Sequence, residues 1–180
     1  TRAMSVIAAA LATRTYPHAI GERLYLGVLA PSVRQAQIDH GYIAGLLQSM
    51  PATAALISGD ITTTTIPLGD VIVECLPSNF KTLRSRSYLA VIVDEAAFLP
   101  TDESASPDTE LLRAVRPGLA RVPGSFLLVV SSPYARKGEL YRAYEKHFGQ
   151  EGHDTLFIKG STLDFNPTFS NTGTQVLSQL

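Results

Sequence analysis

Asp94 and Glu95 stand side by side directly after the apolar run Leu89, Ala90, Val91, Ile92 and Val93. Two adjacent carboxylates suit phosphoryl transfer: one can hold Mg2+, directly or through its waters, while the other orients or deprotonates an attacking water. The preceding run is rich in β-branched residues, the pattern of a strand buried on both faces of a parallel sheet. Acids at the carboxyl end of such a strand fall where open α/β sheets place their ligands. A strand running into a solvated acidic turn uses the same residue types, so the pair alone leaves both readings open.

Other residues could serve the same chemistry. Ser131 and Ser132 follow a second apolar run, Ser125–Val130, and their hydroxyls could sense a γ-phosphate or position water, although an ordinary turn would use them too. Lys81, Arg84 and Arg86 precede the Leu89 run, in a loop that either faces phosphates or is simply solvated. Ala30-Pro31-Ser32 followed by Arg34, Gln35 and Gln37 predicts a donor-rich helix start, with Ser32 as its cap. Thr1 opens a helical pattern abruptly and could be the last residue of a phosphate-binding G-x-x-x-x-G-K-[ST] loop, or a plain helix cap. His18, His40, His147 and His153 fall in separate segments without metal-ligand spacing and read as surface or packing residues. Cys75, the single cysteine, leaves no internal disulfide framework and reads as core filling.

The elements that must position these residues follow from periodicity. Apolar residues at helical spacing predict helices over Arg2–Arg14, Val33–Met50 (with Ile38, Tyr42, Ile43, Leu46 and Leu47 as its buried face), Glu110–Arg121 and Glu139–Phe148. Apolar runs predict parallel strands at Leu24–Ala30, Leu89–Val93, Ser125–Val130 and Thr155–Lys159. Between them, Ala54–Ser58, Ile61–Pro67 and Asp70–Leu76 read as a small antiparallel excursion with turns at Gly59-Asp60 and Leu68-Gly69. With 180 residues the chain can bury one good core, and a formal net charge of −1 excludes bulk basicity as a nucleic-acid signal, so any such contact must come from local patches. No apolar run approaches the roughly 20 residues needed to span a bilayer, and Thr1–Arg14 lacks the layout of a signal peptide.

Several stretches, in this order, resemble the ATPase domain of phage large terminases, the motors that package DNA into procapsids. They are A-P-S-x-R-Q-A-Q at Ala30–Gln37, T-L-R at Thr82–Arg84, V-I-V-D-E-A-A-F at Val91–Phe98, S-S-P-Y-A-R-K-G-E-L-Y at Ser131–Tyr141 and D-F-N-P-T at Asp164–Thr168. The resemblance implies a P-loop NTPase fold of the RecA-like, additional-strand class: a three-layer α/β sandwich with a mostly parallel sheet. It implies ATP and Mg2+ as cofactors. Asp94 resembles the Walker B magnesium carboxylate and Glu95 the catalytic glutamate; Ser131 and Ser132 resemble the motif coupling hydrolysis to movement, and Thr1 the Walker A residue that binds nucleotide and metal. Arg84, eleven residues before Glu95, matches an arginine offered to a neighbouring subunit's nucleotide, although Ser85 stands where the family often has Gly.

By the same resemblance the partners would be double-stranded DNA, a portal protein and a small terminase subunit, in a homo-oligomeric ring in the cytoplasm of an infected bacterial host, with no membrane. Residues 1–160 would form a partial ATPase domain, inactive alone, with its Walker A strand upstream of Thr1; residues 161–180 would lead toward a nuclease domain. An apolar slot is then expected beside Phe126, Leu128 and Val130. The alternatives are a helicase-type nucleic-acid-dependent ATPase, or a non-catalytic P-loop-like scaffold that binds a partner without turnover.

Overall fold

Strand β4 (Ser87–Val93) is buried at every residue, as its unbroken apolar sequence requires. It sits inside a five-stranded sheet in a computed structural model that describes residues 2–76, 83–99 and 107–165. Two compact units are present, Thr1–Leu140 and Tyr141–Leu180.

In the first unit, β4 is flanked by β1 (Leu24–Leu29) and β5 (Phe126–Val129), both parallel to it. Beyond β1 lies β3 (Val71–Cys75), also parallel, and antiparallel to it β2 (Thr65–Leu68), giving the order β2-β3-β1-β4-β5. The predicted antiparallel excursion therefore survives only as β2–β3, turned at Gly69 with φ 63°, and β3 itself joins the parallel sheet. Ala54–Ser58 forms no strand. Pro51 starts a short helix, α3 (Pro51–Ala54), directly after α2, because Pro is well suited to a first helical position.

Helices cover both faces of the sheet. On one, α1 (Arg2–Ala12) and α2 (Val33–Ser49) bring Met4, Ala8, Leu11, Ile43 and Leu47 onto Leu26, Val28, Ala90 and Ile92. On the other, α4 (Pro107–Ala120) brings Leu111, Val115 and Leu119 onto Leu29, Tyr88, Val91 and Val93. Leu89 and Ala90 share the first face because the β1–β4 register slips between Tyr25 and Leu26, a bulge that skips one β4 residue. Each fully buried Leu or Val contributes roughly 1.5–3 kcal/mol, so these two layers fix the β4 end firmly. A Cβ at Gly118 would lie 2.5 Å from the Arg86 carbonyl oxygen and 2.6 Å from the Tyr88 ring, so the glycine lets α4 approach β4 closely.

The buried stripe of α2 is not the one its sequence suggests. It runs through Ala36, Asp39, His40, Ile43, Ala44 and Leu47, whereas Ile38 and Tyr42 are 53% and 41% exposed. Small Ala side chains allow α2 to lie close to α1 and the sheet, and that rotation carries an acid and an imidazole inward.

The second unit has a different outcome from the one expected. Thr155–Lys159 forms no strand; Leu156 and Ile158 are exposed, and only Phe157 is partly covered, against Tyr144 and Phe148 in and just after α5 (Gly138–His147). Its β-type composition cannot hold an extended conformation without a strand to pair with. A short helix, α6 (Thr162–Phe165), follows.

Candidate functional site

The carboxyl ends of β4 and β5 meet side by side, as expected for Asp94 and Ser131, and backbone bonds lock the junction. Val130 N donates to Val93 O at 2.9 Å, Ala96 N to Val130 O at 3.2 Å, and Asp94 N to Leu29 O at 2.8 Å. The chain after β4 then turns through Glu95 with φ 48° and ψ 46°, making it the one non-glycine in the left-handed region among the described residues. Such a conformation costs about 1–3 kcal/mol and persists where the surroundings impose it, typically at functional sites.

What it achieves here is an aim. The Glu95 carboxylate lies 3.3 Å from the Ser132 amide and 3.5 Å from the Ser131 hydroxyl, while the Ser131 oxygen accepts from Ala97 N at 3.0 Å. A tight single turn of helix, Ala96–Phe98, fixes the far side of the loop. Glu95, Ser131 and Ser132 are thus brought together, and they link the segment after β4 to the segment after β5. A second link comes from Asp108, whose carboxylate accepts from Thr109 N at 2.8 Å and Glu139 N at 2.5 Å, joining the first turns of α4 and α5.

Asp94 lies beside Glu95 but points elsewhere. It is 7% exposed, and burial, then the neighbouring Glu95 charge, push its carboxyl above the usual carboxylate range. Facing it is Asp39 of α2, 3% exposed, whose two oxygens have no hydrogen-bond partner among the described residues. Two ionised carboxylates cannot hydrogen-bond each other; they need a shared proton or a cation between them. Sequence reading missed Asp39 altogether. Its signal was an acid at a position of the i, i+3, i+4, i+7 series formed by Ala36, Asp39, His40 and Ile43.

Burial first, and then the Asp94 charge, raise the Asp39 carboxyl from 3.8 to about 6. The other titratable neighbours are His40, whose imidazole burial pushes toward neutrality, and the buried Cys75 thiol of β3, pushed up to about 11 by burial and then by Asp39. Between about pH 4 and 6 the folded chain keeps a proton that the unfolded chain has released. Stability should therefore fall as pH rises through that window, by about 3 kcal/mol for this group. Urea midpoints measured from pH 4 to 7 should show Asp39→Asn gaining on the native chain as pH rises; parallel curves would remove Asp39 as the titrating group.

The three cations before β4 do not approach the acids. Arg86 pairs with Glu74 and stacks over the Tyr25 ring at 4.7 Å. Arg84 is exposed in the turn before β4. The seven residues of β4 advance about 20 Å, so Arg84 and Asp94 lie at opposite ends of the strand rather than close together. Lys81 and Thr1 lie outside the described residues. At the donor-rich corner, Ser32 caps α2 as expected, accepting from Gln35 N at 3.2 Å.

Hard carboxylate oxygens fit Mg2+ or Ca2+ and not a soft transition metal. Among the described residues no set of three His, Cys, Asp or Glu side chains gathers as a complete metal cage. The pair Asp39 and Asp94 suits an ion that keeps its waters and shares them with phosphates, the usual habit of Mg2+. No described helix is long and apolar enough to cross a membrane.

No protein-family model and no curated protein matches the chain. Solved structures do. The large terminase ATPase domain of Thermus phage P74-26 superposes with a TM-score of 0.61 at 16% identity, over 84% of this chain and 62% of that one. The large terminase of a thermophilic bacteriophage, solved in complex with ADP, gives 0.59 at 12% identity, over 87% of this chain and 36% of that one. The bacteriophage HK97 large terminase gives 0.51 at 18% identity, over 71% of this chain and 26% of that one. The chain therefore spans less than two thirds of each of these structures. What they share with it is the fold, a mostly parallel three-layer sheet of the RecA-like P-loop kind.

Proposed function

We propose that this chain, with the fold of phage large terminase ATPase domains, is the ATP-hydrolysing motor domain of a DNA-packaging machine, coupling hydrolysis to movement of double-stranded DNA into a procapsid. The observation that carries the reading is Glu95, twisted into a left-handed conformation so that its carboxylate meets Ser131 and Ser132 across the β4–β5 junction.

In this reading Asp94 holds Mg2+ through its waters, with the hydroxyl of Thr1 on the other side. When bound, the ion neutralises charge on the β- and γ-phosphates. Glu95 orients the attacking water and accepts its proton. Ser131 and Ser132 sense whether the γ-phosphate is present and transmit the change through the Glu95 carboxylate they touch. Asp108 carries it onward to the first turn of α5. Arg84 serves a neighbouring subunit in a ring, since its own Asp94 lies a full strand length away.

Residues 1–160 are then most of an ATPase domain whose Walker A strand is supplied from before Thr1. In support, β5 ends the described sheet, and Phe126 on it is 44% exposed. The full-length protein should hydrolyse ATP in the presence of Mg2+, faster with double-stranded DNA, and Asp94→Asn should remove most of that activity. If a coupled assay on the full-length native protein detects no hydrolysis with DNA present, the ATPase reading fails and the scaffold reading replaces it.

A further inference from the structure

Burying an unpartnered carboxylate costs several kcal/mol, and burying two that face each other costs more. A fold keeps such an arrangement without compensation when a ligand completes it. Asp39 and Asp94 are that case: both buried, facing each other from α2 and the end of β4, with both Asp39 oxygens unpartnered among the described residues. The position is held from the backbone as well. Ser5 in the first turns of α1 donates to the Asp39 carbonyl at 3.5 Å, and α2 is pinned at its start by the Ser32 cap. The carboxyl is therefore fixed against the Asp94 strand end and cannot swing out to solvent without moving the helix.

We infer that Asp39 is a positioning residue of the divalent-cation site, forming with Asp94 a two-carboxylate cradle in which Asp39 accepts hydrogen bonds from the waters of the hydrated ion. The inference rests on the reading of Asp94 as the magnesium carboxylate and adds a second acid to it. Mg2+ gives up its water reluctantly and is commonly held by one or two carboxylates together with phosphates, so an acid that receives those waters sets the orientation of the whole shell. Asn at position 39 keeps the shape but replaces one acceptor oxygen with a donor that clashes with water protons.

The test is Mn2+ titrated onto the full-length protein without nucleotide, read from the loss of the free-ion paramagnetic resonance signal. Native protein should bind one ion; Asp39→Asn and Asp94→Asn should each weaken binding at least about tenfold, the loss typical when an outer partner of a metal site is removed. In the absence of metal, Asp39→Asn should raise the thermal midpoint by several degrees, because it removes a buried charge facing another. Native-like Mn2+ binding in Asp39→Asn, with loss in Asp94→Asn, overturns the role of Asp39 and leaves that of Asp94 standing. Binding indifferent to both substitutions, or absent from the native protein, overturns the Asp94 reading and the cradle with it. A lowered thermal midpoint in metal-free Asp39→Asn also overturns the inference, since Asp39 would then be a structural residue whose charge the fold uses.

Discussion

Glu95→Gln in the full-length protein should lower ATP turnover by about 10²–10⁴-fold while leaving Mg-ATP binding intact. Gln fits the same space, and its one remaining carbonyl oxygen can still accept from Ser131 or Ser132, so the β4–β5 junction should hold. What is lost is the negative charge that orients a water and takes its proton. The left-handed backbone at Glu95 sharpens the expectation, because φ 48° at a non-glycine is a cost the loop bears in order to aim this side chain. A coupled assay gives turnover, and equilibrium binding of a labelled nucleotide gives affinity. A fall in affinity equal to the fall in turnover would mean that Glu95 holds the nucleotide rather than the water. Unchanged turnover would remove it from the mechanism.

How much of this site was legible beforehand depended on which physical signal each residue carried. Asp94, Glu95 and Ser131 announce themselves because each follows an apolar run that can only be a buried strand, and parallel pairing then places their ends together. Asp39 did not, because the strongest apolar residues of α2, Ile38 and Tyr42, drew the predicted face toward themselves. The true face follows the small residues Ala36 and Ala44, and close packing against α1 outweighed the hydrophobicity of the larger side chains. Thr155–Lys159 misled for a related reason: strand formation is a property of a pair, and local composition names only one member. The left-handed turn at Glu95 carries no sequence signal, since nothing in Asp-Glu-Ala-Ala predicts φ > 0.

Arg84→Ala should depress hydrolysis by the assembled, DNA-stimulated motor by about 10³–10⁵-fold, equivalent to about 4–7 kcal/mol of transition-state stabilisation, and leave the basal rate of the dilute monomer little changed. The geometry demands this asymmetry if Arg84 acts at all. Its guanidinium is exposed in the turn before β4, and Asp94 follows the seventh residue of that strand, about 20 Å further on. No arginine side chain spans that separation, so the phosphates Arg84 can reach belong to another copy. Its neighbour Arg86 cannot substitute, because the Glu74 carboxylate and the Tyr25 ring hold it in place. Mixing supplies the decisive measurement. An Arg84→Ala subunit keeps Glu95 but lacks the cation, whereas a Glu95→Gln subunit keeps the cation but lacks the base. Where the second precedes the first in a ring, one complete site forms, so a mixture of two inactive proteins should recover a fraction of native turnover. A mixture as inactive as its parts would show that Arg84 is a solvated turn residue, and that the cation completing the site is carried elsewhere in the protein.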